Sequence, residues 1–441
     1  MLNPDNNYYK TKQIDKLAGS LLGVASAVIF VFTGVSIASI GLPVIVFLIL
    51  SCISIVLLFR HGLEFKFDSR ILEILFLYFI FSVVYALSFF IASSNFESED
   101  LHFLVANMAN IGWVPIFYII VSLKRGLVIT YLAWFSFGIS IFLIGLWLML
   151  AIHFSDLFFM RYEHVLFSFE KNTLFHNPNY LARQLLLVIC LLYGYFLMIR
   201  LDKKQSLLVI VLIVALMIMV VSTLSRTNIV ALVAFLFGVY LYEYKGSGNR
   251  LRSSIKYLMV AVVLSAILVF ISPDIRERLG STIEMFQRLY YLDETWSLPR
   301  RFRTWIATID IIKNHPFFGV GLSDVTHYLE LSGSVMYFPG MYGRVIAIHG
   351  GFMKIAAYGG LVTLFMYAIL YVRMYIITKK LSIPDTVSGS YAYTLRLLLI
   401  ILFICNLSAD SLGLPLTWMS IGLLMALSIP EKKSHDNELV N

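Results

Sequence analysis

The feature of this sequence that most constrains its fold is a series of uninterrupted apolar runs. Two examples are LAGSLLGVASAVIFVFTGVSIASI (17–40) and SLLVIVLIVALMIMVVSTL (206–224). About 20 apolar residues in a helix span the hydrocarbon core of a bilayer, and charged residues make up only 14% of the chain. Helices satisfy their own backbone hydrogen bonds in lipid, and these runs are too long and continuous for barrel strands. The sequence therefore predicts an all-α, polytopic membrane protein.

The runs predict about twelve transmembrane helices. The first run follows a polar leader, MLNPDNNYYKTKQIDK, and is too long for a signal-peptide core, so we expect an uncleaved first span. No internal repeat or soluble domain is visible, and residues 1–441 are predicted to form a single integral membrane domain. The predicted helices are 17–40, 41–59, 71–92, 102–122, 127–151, 178–198, 206–224, 227–243, 255–272, 349–372, 391–409 and 413–429.

The pattern of basic residues orients these helices in the membrane, because cytoplasmic loops carry an excess of Lys and Arg. With both termini in the cytoplasm, every inner loop is basic, whereas the outer loop SSNFESED (93–100) is acidic. The basic inner residues are Lys10, Lys12, Lys16, Arg60, Lys66, Arg70, Lys124, Arg125, Arg200, Lys203, Lys204, Lys245, Arg250, Arg252, Lys256, Arg373, Lys379, Lys380, Lys432 and Lys433.

In this orientation a second group of cations faces outward. Most of them lie in one long loop, 273–348, between the predicted ninth and tenth helices, and a loop of this length is more often functional than filler. We therefore expect an anionic ligand on the outer face. The outward cations are Arg161, Lys171, Arg183, Arg226, Arg276, Arg278, Arg288, Arg300, Arg301, Arg303, Lys313 and Arg344.

Arg226 is the most constrained of these cations. It stands in STLSRTNIVALVAFLFGVY, between two apolar runs that almost no loop separates. Its guanidinium is expected at or just inside the outer boundary, where an arginine costs about 2.5 to 3.5 kcal/mol and usually faces a cavity or a partner. Arg226 either snorkels to phospholipid headgroups or binds a ligand, and we favour the ligand.

The long loop is predicted to contain an amphipathic helix. In RFRTWIATIDIIK (301–313) the residues Phe302, Trp305, Ile306, Ile309 and Ile312 recur at spacings of three or four. Such a helix lies on the bilayer or caps the bundle, and Arg300 and Arg303 then contact either lipid or substrate. The following HPFFGVGL (315–322) predicts a helix end and a tight turn, with His315 as a helix-end residue or, less favoured, a chemical group.

His349 opens the predicted tenth helix at the outer boundary. It is followed by two glycines in IHGGFMK, which leave room for a substrate to approach. A histidine there is either interfacial polar packing or a general base, because imidazole changes charge near neutral pH.

Cysteines and acidic residues indicate no metal centre. Cys52, Cys190 and Cys405 all lie in apolar runs, which predicts buried thiols and argues against a disulfide framework. The outer loops contain no DxD-like pair or histidine cluster, and DET (293–295) is the nearest acidic group. We expect no metal, no cofactor and no nucleic-acid partner.

Four segments in order resemble the landmarks of the O-antigen ligase and polymerase superfamily. They are SRTNIVALVAFLFGVY, the Arg301 to Trp305 pair, HPFFGVGL and HGGFMKIAAYGGLVTLF, and HNPNYLA (176–182) is similar to a further family segment. The resemblance covers roughly residues 175–365. Many members have Asn directly after the histidine, whereas Gly350 stands here, which questions acceptor recognition by that position.

The resemblance implies transfer of an oligosaccharide from an undecaprenyl diphosphate carrier at the outer face of the bacterial inner membrane. By motif position the catalytic residues are Arg226, Arg301 and His349. The diphosphate or glycan is expected to contact these two arginines as well as Arg183, Arg300, Arg303 and Asn179. Membrane lipids are further partners, and a chain-length regulator is implied by the polymerase resemblance only.

The chemistry agrees with this assignment. No nucleotide sugar or ATP is available outside the cytoplasmic membrane, so a donor must be activated before export, as a lipid diphosphate is. Arginines can neutralise that leaving group by forked hydrogen bonds, and His349 can take the proton of the acceptor hydroxyl, which gives inversion.

Three functions remain open. A polymerase uses another lipid-linked repeat unit as the acceptor, a ligase uses lipid A core, and a transporter moves the anionic lipid. We favour the polymerase, because several polymerases are typically needed for different polymers and only one ligase. Only Lys354 and Arg396 favour a transporter, because alternating access predicts ionisable or helix-breaking features near mid-membrane. The alternative is that both are internal ion-pair partners, with Asp410 as an available carboxylate.

Overall fold

The structure is a computed structural model of the chain. Its helices pack side by side into a bundle, together with one antiparallel pair of two-residue strands, in which Ser36 faces Gly41 and Ile37 faces Ile40. It describes residues 4–31, 36–37, 40–61, 67–92, 104–105, 110, 112–154, 178–198, 202–245, 297–321, 324–325, 328, 348, 350–382, 386–407 and 415–430.

The helices of this part of the chain follow the apolar runs closely. Helices α5 and α11 both begin at a proline, whose fixed φ and missing N–H suit the first turn. The bounds are α1 Pro4–Val31, β1 Ser36–Ile37, β2 Ile40–Gly41, α2 Leu42–His61, α3 Ser69–Ala92, α4 Trp113–Phe154, α5 Pro178–Met198, α6 Lys203–Ser222, α7 Arg226–Lys245, α8 Ser297–Asn314, α9 Gly351–Leu381, α10 Val387–Asn406 and α11 Pro415–Ser428.

Six of the described helices are long and apolar enough to cross a membrane, and three shorter apolar helices accompany them. The number of about twelve spans stays a prediction, since the run 255–272 lies outside the described residues. The six spans are Ser69–Ala92, Trp113–Met149, Asn179–Leu197, Lys203–Ser222, Gly351–Leu381 and Val387–Asn406, and the shorter helices are Ile45–Arg60, Arg226–Leu241 and Leu416–Ser428.

Three expectations need correction. The polar leader is helical from Pro4 onward, so α1 begins well before residue 17. The predicted break between helices 102–122 and 127–151 is confirmed, but it is a kink and not a loop, because Trp113–Phe154 consists of two helices that meet at Lys124, where φ is −144° and ψ is 55°. Cys190 and Cys405 are buried as expected, but Cys52 is exposed on the surface of α2.

Helix α5 lies at the centre of the bundle. It packs against α4, α6, α7, α10 and α11, and its residues 181–192 are all buried. A helix that is buried on all sides and is apolar except for Arg183 and Gln184 in this segment is typical of a central position. The exposed large side chains belong to peripheral helices, for example Phe59 of α2 and Phe76 of α3, which is the expected lipid-facing surface.

Small residues bring α1 close to α4. A Cβ on Gly19 would lie 2.6 Å from the carbonyl oxygen of Leu127, and one on Gly23 would lie 2.8 Å from that of Tyr131. Two glycines four residues apart let membrane helices approach backbone to backbone. The spacing of Gly19 and Gly23 therefore lets α1 pack directly on the backbone of α4.

Charged side chains join several helices at one end of the bundle, which we call the ion-pair end. Lys124 Nζ lies 2.9 Å from Asp15 Oδ2, and Arg373 pairs with Glu73. The Arg125 guanidinium donates to the carbonyl oxygens of 427 and 429, at 2.8 and 3.0 Å, at the end of α11. The cations at this end are those that the charge pattern assigns to the cytoplasm.

Candidate active site

The turn between α6 and α7 places Arg226. Helix α6 ends at Ser222 and α7 begins at Arg226, so residues 223–225 form the whole connection. Leu224 has a φ of 51°, a left-handed conformation that is uncommon outside glycine. The Thr223 hydroxyl donates to the Val220 carbonyl at 2.6 Å, which closes the end of α6. This short connection fixes the start of α7 against the end of α6.

Four polar side chains, of which only Asn179 is partly exposed, tie this turn to two other helices, and we call them the asparagine network. The Ser225 hydroxyl donates to Asn179 Oδ1 at 2.6 Å, and Asn228 Nδ2 donates to Ser225 Oγ at 2.7 Å. Asn228 Nδ2 also lies 3.1 Å from the Asn179 carbonyl oxygen, and the Cys405 thiol donates to Asn228 Oδ1 at 3.3 Å. The network thus joins the start of α5, the start of α7 and the end of α10.

Arg183 and Arg226 stand on two of the helices that this network joins. Arg183 lies one helical turn after Asn179 and is 2% exposed, with its guanidinium carbon 5.7 Å from the centre of the Tyr180 ring. Arg226 follows Ser225 directly and is half-buried. Cations are rarely buried at membrane depth without a specific role, so this end of the bundle is built to hold positive charge.

The start of α9 meets the same end of α10. A Cβ on Gly351 would lie 2.8 Å from Asn406 Oδ1, and one on Gly350, whose φ is 105°, would lie 3.2 Å from the Leu407 carbonyl oxygen. Asn406 follows Cys405 of the network. His349, the predicted general base, lies outside the described residues, but Gly350 after it is placed beside the network.

This end of the bundle is opposite the ion-pair end. Residues 351 and 373 both belong to α9, and at 1.5 Å per residue about 30 Å of helix separate them. Arg183 and Arg226 are therefore far from the cations of the ion-pair end. Among the described residues, Arg183 and Arg226 of the predicted outer set and Lys124, Arg125 and Arg373 of the predicted inner set thus lie at opposite ends of the bundle.

Helix α8 confirms the predicted helix in the segment 301–313. Thr304, Ala307, Thr308 and Ile311 are buried, in a bundle where α8 packs on α9, whereas Ile306 and Ile309 of the predicted apolar stripe are exposed. Threonine can be buried there because the Thr308 hydroxyl donates to the Thr304 carbonyl at 2.7 Å. Ile306 and Ile309 thus point away from the bundle, on the side that the sequence predicts to contact the bilayer.

Arg300, Arg301 and Arg303 lie in the first two turns of α8. Their side chains are outside what the structure describes, so their distance from Arg226 is an expectation only. His315 follows α8, and its Nε2 lies 2.7 Å from the Tyr328 hydroxyl. This contact favours the helix-end role for His315.

Two cations inside helices contact aromatic rings. Lys354 Nζ lies 5.6 Å from the ring centre of Tyr358, and the Arg396 guanidinium carbon lies 4.9 Å from that of Tyr393. Such cation–π contacts stabilise a cation in a desolvated site. Asp410, the expected carboxylate partner, lies outside the described residues.

The network contains residues that the sequence did not indicate as functional. Asn228 lies two residues after Arg226, and a polar side chain so close to a membrane arginine is a usable signal. Ser225 and Cys405 give no such signal alone, because only the fold brings them to Asn179. Among the described residues no three His, Cys, Asp or Glu side chains are grouped to hold a metal ion.

The family model described as O-Antigen ligase matches residues 211–368. This segment contains Arg226, α8, HPFFGVGL and the start of α9, so the resemblance inferred from the sequence motifs is confirmed over it. The match is consistent with the superfamily of O-antigen ligases and polymerases, and that family implies a membrane glycosyltransferase acting on lipid-linked glycans. No curated protein matches the chain.

Proposed function

We propose that this chain, with its O-antigen ligase-type segment, is a surface-polysaccharide polymerase of the bacterial inner membrane. It transfers an oligosaccharide from undecaprenyl diphosphate onto another lipid-linked repeat unit at the periplasmic face. The transfer inverts the anomeric centre and uses no metal. The observation that carries the proposal is the position of Arg183 and Arg226 around the asparagine network, at the end of the bundle opposite the ion-pair end.

The proposed orientation of the protein in the membrane follows from the basic residues at the two ends of the bundle. The positive-inside rule assigns Lys124, Arg125 and Arg373 to the cytoplasmic side, and these residues occupy the ion-pair end. The asparagine network then faces the periplasm, where no nucleotide sugar is available. A donor that carries its own diphosphate leaving group fits a site that is rich in arginine and at the membrane boundary.

The arginines stabilise the departing diphosphate. Arg226 and Arg301 donate forked hydrogen bonds to the phosphate oxygens as negative charge develops there, and each charged bond contributes about 1.5 to 3 kcal/mol. Arg300 and Arg303 lie beside Arg301 on α8 and extend the cationic surface toward the glycan. Arg183 is buried, so it supports the site electrostatically from within.

His349 activates the acceptor. Its imidazole takes the proton of the acceptor hydroxyl while that oxygen bonds to the anomeric carbon, and the bond from this carbon to the phosphate oxygen breaks. The electron pair leaves with undecaprenyl diphosphate, and attack from the opposite face inverts the centre. Asn179, whose side-chain oxygen accepts from Ser225, positions α5 against Arg226 at the edge of the glycan site.

A ligase is the second candidate, because the matching family model carries that description. The donor chemistry is then the same and the acceptor is lipid A core. The two functions differ in what accumulates when the gene is deleted.

The gel pattern of surface lipopolysaccharide from a deletion strain tests the proposal. We expect core that bears a single repeat unit, and restoration of the ladder by the wild-type gene but not by Arg226→Lys. Arg373→Lys, a matched change at the ion-pair end, should restore it. Bare core with long glycan on its lipid carrier would identify a ligase instead, and an unchanged ladder would exclude both functions and favour a transporter.

A further inference from the structure

Helix α9 is interrupted at Gly360, where φ is 74° and ψ is −178°. In an unbroken helix the Leu361 N–H would donate to the Ala357 carbonyl, four residues earlier. Here the Leu361 N–H donates to the Pro316 carbonyl at 2.8 Å, and the Ala357 carbonyl accepts from the Val320 N–H at 3.0 Å. The segment after α8 therefore enters the hydrogen-bond ladder of α9. The helical bond between Leu361 and Ala357 is replaced by two bonds, one from Leu361 to Pro316 and one from Val320 to Ala357.

Glycine is required on both sides of this contact. A Cβ on Gly319, whose φ is 67°, would lie 2.7 Å from the Gly360 nitrogen, and a Cβ on Gly360 would lie 2.5 Å from the Phe318 nitrogen. Both residues also have positive φ, which only glycine adopts without strain. We call this contact, formed by residues 316–320 and 357–361, the glycine lock.

Side chains from another helix complete the interruption. The Gly359 carbonyl accepts from the Thr363 hydroxyl at 2.6 Å and from the Ser88 hydroxyl of α3 at 3.0 Å, and the two hydroxyls lie 3.1 Å apart. Irregular backbone inside a membrane is stable only where neighbouring protein satisfies its polar groups. The interruption is therefore a built feature that three parts of the chain maintain.

We propose that the glycine lock is the device that positions the arginines of α8 over the start of α9. The glycine lock joins the segment that follows Asn314, the last residue of α8, to Gly360 of α9, nine residues after Gly351. It therefore sets the distance between Arg301 and the start of α9. Gly319 and Gly360 are positioning residues for transfer. This assignment rests on the proposed function, whereas the mechanical role of the lock does not.

The mechanical role is tested by a distance between spin labels on Lys313→Cys of α8 and Val372→Cys of α9, both exposed. Cys52→Ser removes the exposed native thiol. We expect Gly360→Ala to shift or broaden the distance distribution, while Gly145→Ala leaves it unchanged, because a Cβ on Gly145 meets nothing within 4 Å. Equal distributions in Gly360→Ala and wild type would overturn the lock.

The positioning role is tested by transfer kinetics of the same variants in vesicles. We expect Gly360→Ala to lower kcat about 100-fold with little change in KM for the lipid-linked donor. An altered distance with normal kcat would show that the lock does not position the site. If wild type itself transfers nothing, the proposed function fails and the label distance still decides the mechanical role. Should Gly360→Ala not accumulate, Thr363→Val, with Thr363→Ser as its control, replaces it in both measurements, with a smaller change of the same direction expected.

Discussion

The Ser225 hydroxyl donates a hydrogen bond of 2.6 Å to Asn179 Oδ1 across 46 positions of the chain. This bond ties the residue before Arg226 to the first turn of the buried central helix. Asn228 and Cys405 extend it to the end of α10. The position of one membrane arginine thus depends on three helices that the sequence separates widely.

Replacing Asn179 with Ala should weaken both fold and transfer. The change leaves the buried Ser225 hydroxyl without its acceptor, at a cost of about 1 to 3 kcal/mol. We expect a lower unfolding temperature and a reduced rate of glycan transfer. Ser20→Ala is the matched control, since the Ser20 hydroxyl bonds only to the Lys16 carbonyl of its own helix. An Asn179→Ala protein as stable and active as Ser20→Ala would contradict the role of the network.

Arg226→Lys should nearly abolish transfer without loss of protein. Lysine keeps the charge but not the forked donors that bind a diphosphate in two places. We expect kcat to fall about 100- to 1,000-fold, measured with purified protein in vesicles. Arg373→Lys, at the ion-pair end, should keep near-normal kcat, and equal losses in both variants would point to a general effect of removing guanidinium groups.

Arg301→Lys distinguishes a ligand role from lipid anchoring on α8. If Arg301 binds the diphosphate, loss of the fork lowers kcat about 10- to 100-fold. An arginine that only contacts lipid headgroups tolerates lysine, so near-normal activity would assign Arg301 to the membrane surface. Lys313→Arg at the exposed end of the same helix is the control and should have no effect.

His349→Ala should remove transfer while the protein remains in the membrane at normal abundance. The variant loses the group that is proposed to take the proton of the acceptor hydroxyl. Membrane fractionation and immunoblotting measure abundance, and incorporation of labelled repeat units measures transfer. A protein that disappears from the membrane would assign His349 to packing.

The sequence predicts regular elements of this fold better than their contacts. The range 178–198 is correct at both ends, because Pro178 opens an apolar run that continues to Met198. The start of α1 is misplaced because the polar leader continues the helix outside the apolar run. In α8 the apolar stripe predicts the helix but does not show that Thr308 packs inward, where its hydroxyl bonds to the Thr304 carbonyl of its own helix.

The candidate site is predictable only in part, for a physical reason. A charge inside an apolar run, as at Arg226, is visible because it is costly wherever the run folds. Asn228 and Cys405 become partners only when α7 and α10 pack together, and they are 177 positions apart. Similarly, HPFFGVGL predicts a turn, but its insertion at Gly360 depends on a break in another helix.

The most direct test of the account is transfer by the purified protein in vesicles that contain one lipid-linked repeat unit as both donor and acceptor. We predict a ladder of longer lipid-linked glycans that requires no added metal and is absent with Arg226→Lys. No elongation, with transfer appearing only when lipid A core is added, would contradict the polymerase function and identify a ligase.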